Sequence, residues 1–118
     1  MLTPSNMNSL LAAARDFARS HIDCSGITEA EDEIQRISRM VANAMMDEAA
    51  ANMSGKSTYK GVRISCECGG QARFKGYRER FIRTLHGDVG IARSYYRCDH
   101  CRRGYIPWDK EQGLSERI

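Results

Sequence analysis

Apolar residues recur at three- and four-residue spacing along the first half of the chain. Leu10, Leu11, Ala14, Phe17 and Ala18 form one such stripe, which predicts an amphipathic helix. Thr3-Pro4 supplies its start, with Thr3 as N-cap and Pro4 at the first helical position, where a missing N–H costs nothing. Asp23-Cys24-Ser25-Gly26 breaks the pattern. A second start follows at Thr28-Glu29-Ala30-Glu31, a capping-box sequence, after which Ile34, Ile37, Val41, Ala44 and Met45 share a face that weakens through Ala49 to Met53. Positions 27, 30, 34, 37, 41 and 44 follow a heptad, but Glu48 at the next seam position argues against a long coiled coil. The expectation is a helical hairpin over residues 1–55, packed on itself or on the rest of the chain. The competing use is a homodimer, or docking on a larger protein partner, through residues 28–53.

Beyond Gly55 the pattern changes to β type. Tyr59 to Ile64 reads as a short strand, and Ala72 to Leu85 as a longer one interrupted at Gly76. His86-Gly87-Asp88 forms the turn, and Val89 to Arg97 the return strand. Gly55-Lys56-Ser57-Thr58 superficially suggests a phosphate-binding loop. That motif needs a glycine at position 50, where this chain has Ala50, and a strand before the loop rather than a helix. Gly55 reads instead as the residue that ends the long helix.

Composition sharpens this division. Residues 1–58 carry five basic and eight acidic side chains, a net of −3, whereas residues 59–118 carry thirteen and seven, a net of +6. The overall +3 is their sum. No apolar run approaches the roughly 20 residues of a membrane span, and Met1-Leu2-Thr3-Pro4-Ser5-Asn6 lacks the features of a signal peptide. A cytoplasmic chain without membrane association is expected, and its five cysteines are expected to be thiols or metal ligands rather than disulfides.

Four of those cysteines form two close pairs, Cys66-Glu67-Cys68 and Cys98-Asp99-His100-Cys101, separated by 29 residues of β-type sequence. Four thiolates from two turns can converge tetrahedrally on a structural Zn²⁺. Cys66, Cys68, Cys98 and Cys101 are therefore the candidate ligands. The first spacer is a residue shorter than usual, and Gly69-Gly70 behind it offers the backbone freedom a tight knuckle needs. His100 sits inside the second spacer and is expected to point away, and Cys24 is read as a free thiol. The predicted fold class is α+β: a helical hairpin at 1–55, a zinc-ribbon β-hairpin domain at 59–110 and a tail at 111–118. A β unit with so few large aliphatics needs a metal to complete its stability.

Between Gly69 and Gly104 the chain places Arg73, Lys75, Arg78, Arg80, Arg83, Arg93, Arg97, Arg102 and Arg103 against only Glu79, Asp88 and Asp99. Arginine forks match phosphate, and Tyr77, Tyr95, Tyr96 and Tyr105 interleave with them, so these nine residues are the candidate nucleic-acid contacts. Duplex DNA is the expected partner. An acidic protein surface, engaged by an adaptor or inhibitor, is the alternative. A solvated face with a tyrosine core is the bland reading. The hairpin register, and hence which arginines share a face, is not specified by the sequence.

One order of residues adds a resemblance. Thr84-Leu85-His86-Gly87-Asp88-Val89, Arg93, Tyr95-Tyr96, Cys98, Cys101, Gly104 and Pro107-Trp108-Asp109 follow the pattern T-x-x-G-x-V, R-x-Y-Y-x-C-x-x-C, G-x-x-P-x-D. That pattern resembles the N-terminal region of Kra-type insertion-sequence transposases, and Cys66-Glu67-Cys68-Gly69 fits the first knuckle of that region. The resemblance covers roughly residues 64–114 and implies a zinc ribbon that precedes a DDE-type catalytic domain. No such domain follows within the 118 residues, and Asp88, Asp99 and Asp109 do not form a catalytic triad. The expectation is a non-catalytic, transposase-like DNA-binding or regulatory module of a mobile element.

Overall fold

The computed structural model describes residues 1–23 and 25–115. Cys24, read as a free thiol, and positions 116–118 of the predicted tail lie outside the described residues. The class is α+β: two N-terminal helices followed by a four-stranded antiparallel sheet. None of the helices is long and apolar enough to cross a membrane among the described residues.

Helix α1 spans Pro4–His21 and helix α2 spans Ile27–Met53. Thr3 caps α1 as expected, its hydroxyl accepting the Asn6 N–H at 3.2 Å, and Asn6 returns the bond to complete a capping box. At α2 the start differs. The helix begins at Ile27, with the Ala30 N–H donating to the Gly26 carbonyl at 3.1 Å, so Thr28 already lies in the first turn. Gly55 follows the end of α2 with φ +64°, a left-handed conformation that glycine adopts without strain.

The chain divides into two compact units, Met1–Val41 and Ala42–Ile118, so the division falls inside α2 rather than at Gly55. In the first unit none of the described residues is buried. Leu10, Leu11, Phe17, Ile34, Met40 and Val41 are all exposed. The expected packing of the hairpin on itself has therefore not produced a core. What holds this unit is local: the caps, the helical hydrogen bonds and a bond of 2.7 Å from the Asp23 N–H to the Glu33 carboxylate.

In the second unit the strands are β1 (Arg63–Ser65), β2 (Gln71–Thr84), β3 (Gly87–Cys98) and β4 (Gly104–Tyr105), hydrogen-bonded in that order. A short helix α3 (Pro107–Glu111) follows. β1 starts later than the sequence suggests because Gly61, at φ +100°, interrupts extended backbone. There the buried Tyr96 hydroxyl accepts the Lys60 N–H and donates to the Gly61 carbonyl, both at 2.8 Å.

The interruption expected at Gly76 is a β-bulge: Phe74 pairs with Tyr96 and Gly76 with Tyr95, leaving Lys75 as the extra residue. Gly76 has φ +118°. The bulge has a large effect on burial. Along β2 the odd-numbered positions from 71 to 83 are all exposed. Paired residues project from the same face of a sheet. By that rule Gln71 and Arg73 share the face of Arg97, whereas Tyr77, Glu79, Phe81 and Arg83 project from the other face. The core changes sides at the same place. Ala72, Tyr96, Cys98 and Cys66 pack together on one face near the cysteine turns. Val89, Ile91, Trp108 and Ala50 pack on the opposite face towards the hairpin tip, with Met46, Ile82 and Leu114 around them.

The segment Gly55–Thr58 forms a single 3-10 turn against the free edge of β3. Ser54 Oγ accepts the Ala92 N–H at 2.6 Å, and buried Thr58 Oγ1 accepts the Ser94 N–H at 2.8 Å. The residues that imitate a phosphate loop thus close a sheet edge, a place where unpaired backbone groups would otherwise invite association.

Candidate metal centre and the basic residues around it

Each cysteine pair sits in a turn joining two antiparallel strands. In the first, the Gly69 N–H donates to the Cys66 carbonyl and the Cys66 N–H to the Gly70 carbonyl, both at 3.0 Å. In the second, the Arg102 N–H donates to the Cys98 carbonyl at 2.9 Å and the Cys98 N–H to the Arg103 carbonyl at 3.0 Å. The turns match in construction, the first being one residue shorter. Each places a left-handed residue just after its second cysteine: Gly69 at φ +89° and Arg102 at φ +68°. That shared geometry is how a two-residue spacing and a three-residue spacing can present sulfurs to one point.

The four sulfurs do meet. The Sγ atoms of Cys66, Cys68, Cys98 and Cys101 all lie within 4.8 Å of one another, a group that could hold a metal ion. Cys66 and Cys101 are 3.4 Å apart, and Cys68 and Cys98 3.6 Å. A tetrahedron of thiolates at about 2.3 Å from a central ion has edges of about 3.8 Å, so the spacing fits such a donor set. Cys66 and Cys98 are buried while Cys68 and Cys101 are exposed. His100 is exposed and stands outside the cluster. Gly70 lies against the cluster: a Cβ there would meet Cys68 Sγ at 3.4 Å and Cys98 Sγ at 3.5 Å, which are ordinary contact distances.

The thiols differ in acidity. The Tyr105 hydroxyl, 3.1 Å from Cys66 Sγ, together with a backbone N–H at Cys68, holds the Cys66 thiol down to about 6. At Cys68 the Gly70 backbone hydrogen bond favours the thiolate, but the adjacent Cys66 sulfur and desolvation outweigh it and push the group up to about 12. Cys101 is likewise raised: its Arg103 backbone bond is overcome by Cys66 and by desolvation. Four sulfurs so close cannot all ionise alone, which is the electrostatic condition that a divalent cation relieves.

The nine candidate nucleic-acid contacts have different fates. Arg93 is 1% exposed and is enclosed by the protein: Nε and Nη2 donate to the two Asp109 oxygens at 2.9 Å each, and Nη1 donates to the Arg78 carbonyl at 2.6 Å. It cannot reach a phosphate, so Arg93, expected among the surface contacts, is instead part of the core. Arg80 is largely withdrawn as well, donating to Asp109 at 3.2 Å and to the Ser115 carbonyl at 2.7 Å. Asp109 thus anchors two arginines and α3 to the sheet.

The remaining seven are exposed. Arg73 pairs with Asp99 at 3.1 Å, and Lys75 approaches the same carboxylate at 3.6 Å. Arg73 and then Lys75 hold the Asp99 carboxyl below its usual range. Arg78 lies over the Tyr95 ring at 4.6 Å and Arg103 over Tyr105 at 5.1 Å. Arg103 also pairs with Glu67 at 2.6 Å, linking the two cysteine turns. Arg83 projects at the hairpin end from the sheet face opposite Arg73 and Arg97, with a loose 3.9 Å approach to Asp88, and so stands apart from those candidates. Arg97 and Arg102 are exposed on β3 and in the second turn.

The register adds a cation that sequence reasoning missed. Arg63 on β1 pairs with Arg73, and Arg73 pairs with Arg97 on β3. The missing signal was the β1–β2 register, which depends on the first cysteine turn rather than on side-chain alternation. No family model matches this chain, no curated protein matches it, and no solved structure matches it.

Proposed function

We propose that this protein is a non-catalytic, zinc-held nucleic-acid-binding module, with duplex DNA as its partner. The reading is carried by one observation: four cysteine sulfurs within 4.8 Å tie together the ends of strands that bear exposed arginines. Zn²⁺ is the ion we assign, because an all-thiolate tetrahedral site suits it and such sites are structural. With Cys66, Cys68, Cys98 and Cys101 all bound, zinc would keep no position for a reacting water, so the ion would hold the zinc ribbon together rather than catalyse. Arg73, Lys75, Arg78 and Arg97 would meet phosphates.

The resemblance to the N-terminal region of Kra-type transposases belongs to the same proposal and favours DNA, in a mobile-element role. Several residues that carry it have plain structural work: Arg93 pairs with Asp109, and Tyr96 is buried. They support the fold of such a module rather than its contacts.

The test is binding of the zinc-loaded chain to a random duplex at 50 and 200 mM salt. For four phosphate contacts the affinity should fall roughly a hundredfold over that interval. An affinity that stays flat between the two salt concentrations would rule the reading out.

A further inference from the structure

Across the end of the sheet nearest the cysteines, Arg63, Arg73 and Arg97 stand side by side on three adjacent strands, paired Arg63 with Arg73 and Arg73 with Arg97. Directly paired residues share a face, so the three guanidinium groups project from the same side. All three are exposed, and Lys75, at the bulge, joins them by reaching the same Asp99 as Arg73. Like charges placed directly opposite destabilise a sheet. Elsewhere this protein removes such a conflict: Arg93, paired with Arg78, is neutralised by buried Asp109. At the row the described residues supply Asp99 alone for Arg73 and Lys75, while Arg63 meets only the neutral Gln71 amide, at 3.5 Å. The surface is therefore an unpartnered sheet face with uncompensated positive charge.

We propose that the Arg63–Arg73–Arg97 row is a phosphate track that lies along the backbone of one nucleic-acid strand. This deepens, and rests on, the nucleic-acid reading above. With strands about 4.8 Å apart the row spans about 10 Å. Three successive nucleotides of one duplex strand are separated by two rises of about 3.4 Å, about 7 Å along the axis, a difference within the reach of arginine side chains. Guanidinium forks suit phosphate oxygens, and the row offers no apolar or aromatic platform for bases, so it positions the backbone and reads no sequence. Asp99 competes with the phosphates for Arg73. Arg83 projects from the opposite face and takes no part, and this separates the row from a diffuse basic surface.

The experiment compares the zinc-loaded wild type with three variants on a fluorescent random duplex, after each is shown to bind metal and to keep its circular-dichroism spectrum. The double variant Arg63→Gln/Arg97→Gln should bind at least about tenfold more weakly, with a salt slope smaller by about two. Asp99→Asn should bind more tightly, and Arg83→Gln should match the wild type. If the double variant binds like the wild type, or Arg83→Gln loses as much as it does, the row is wrong while the nucleic-acid reading stands. Displacement of the duplex by polyglutamate as readily as by unlabelled duplex would also overturn it, in favour of an acidic protein surface. A wild type that fails to bind duplex at 50 mM salt would sink both.

Discussion

Arg93 and Asp109 show how far a residue's role can depart from its charge. Both are buried, and the guanidinium fork meets both carboxylate oxygens at 2.9 Å. A buried pair of this kind adds little over a well-packed apolar pair, but removing one member leaves a charge stranded. Asp109→Ala should therefore cost about 3–5 kcal/mol in urea unfolding of the metal-loaded chain, because it strands Arg93 and releases Arg80. Swapping in a variant at exposed Arg83 should move the midpoint hardly at all, which gives the internal comparison. Composition pointed to an arginine-rich surface, and for most of the nine arginine and lysine positions that holds. It failed at Arg93 because its partner, Asp109, lies 16 residues away on a helix of five residues, too short to leave a periodic signal.

The elements were legible to different degrees for identifiable reasons. α1 and α2 carry a repeated apolar spacing and were placed well, Thr3 capping included. β2 and β3 are marked by β-type sequence over Ala72 to Leu85 and Val89 to Arg97, and the interruption by Gly76. β4 and α3 were missed, being two and five residues long. The 3-10 turn was seen only as a helix end, whereas its hydroxyls are what close the edge of β3. Thr58 Oγ1 bonds the Ser94 N–H at 2.8 Å and the Ser94 hydroxyl at 2.9 Å in a buried position. Thr58→Val keeps the shape and deletes both bonds, together with the one its hydroxyl donates to the Gly55 carbonyl at 2.7 Å, so it should cost about 1–3 kcal/mol. Amide exchange would locate the effect: Ser94 should lose protection first, and unchanged protection there would refute the edge-closing role.

At the scale of the whole molecule, the two units draw on different sources of order. Met1–Val41 has no buried described residue and depends on helical hydrogen bonds, whereas the sheet unit has two small clusters on opposite faces of one sheet. One cluster contains two of the four converging cysteines. A structural zinc contributes an apparent ~10–16 kcal/mol in small domains, more than such a cluster can replace. Chelation should accordingly collapse the amide dispersion of the β unit while far-ultraviolet helical signal persists. A β-unit spectrum indifferent to the chelator would show that the four thiols pack without a metal. The cysteine site was readable because ligand spacing is a local property of the chain. The register that decides which arginines stand together was not, since it is set by turns and by a bulge.

That bulge makes β2 unusually tolerant of one particular change in length. From Ala72 to Thr84 every residue of β2 other than Lys75 has a partner on β3, and those partners run in unbroken order from Cys98 to Gly87. Losing residue 75 would join Phe74 directly to Gly76 and leave each of those pairs as it is. Losing any other residue in the interior of the strand would turn its flanking segment over, exchanging surface for core. A deletion at 75 is thus silent for strand pairing, but it removes a cation beside the arginine row.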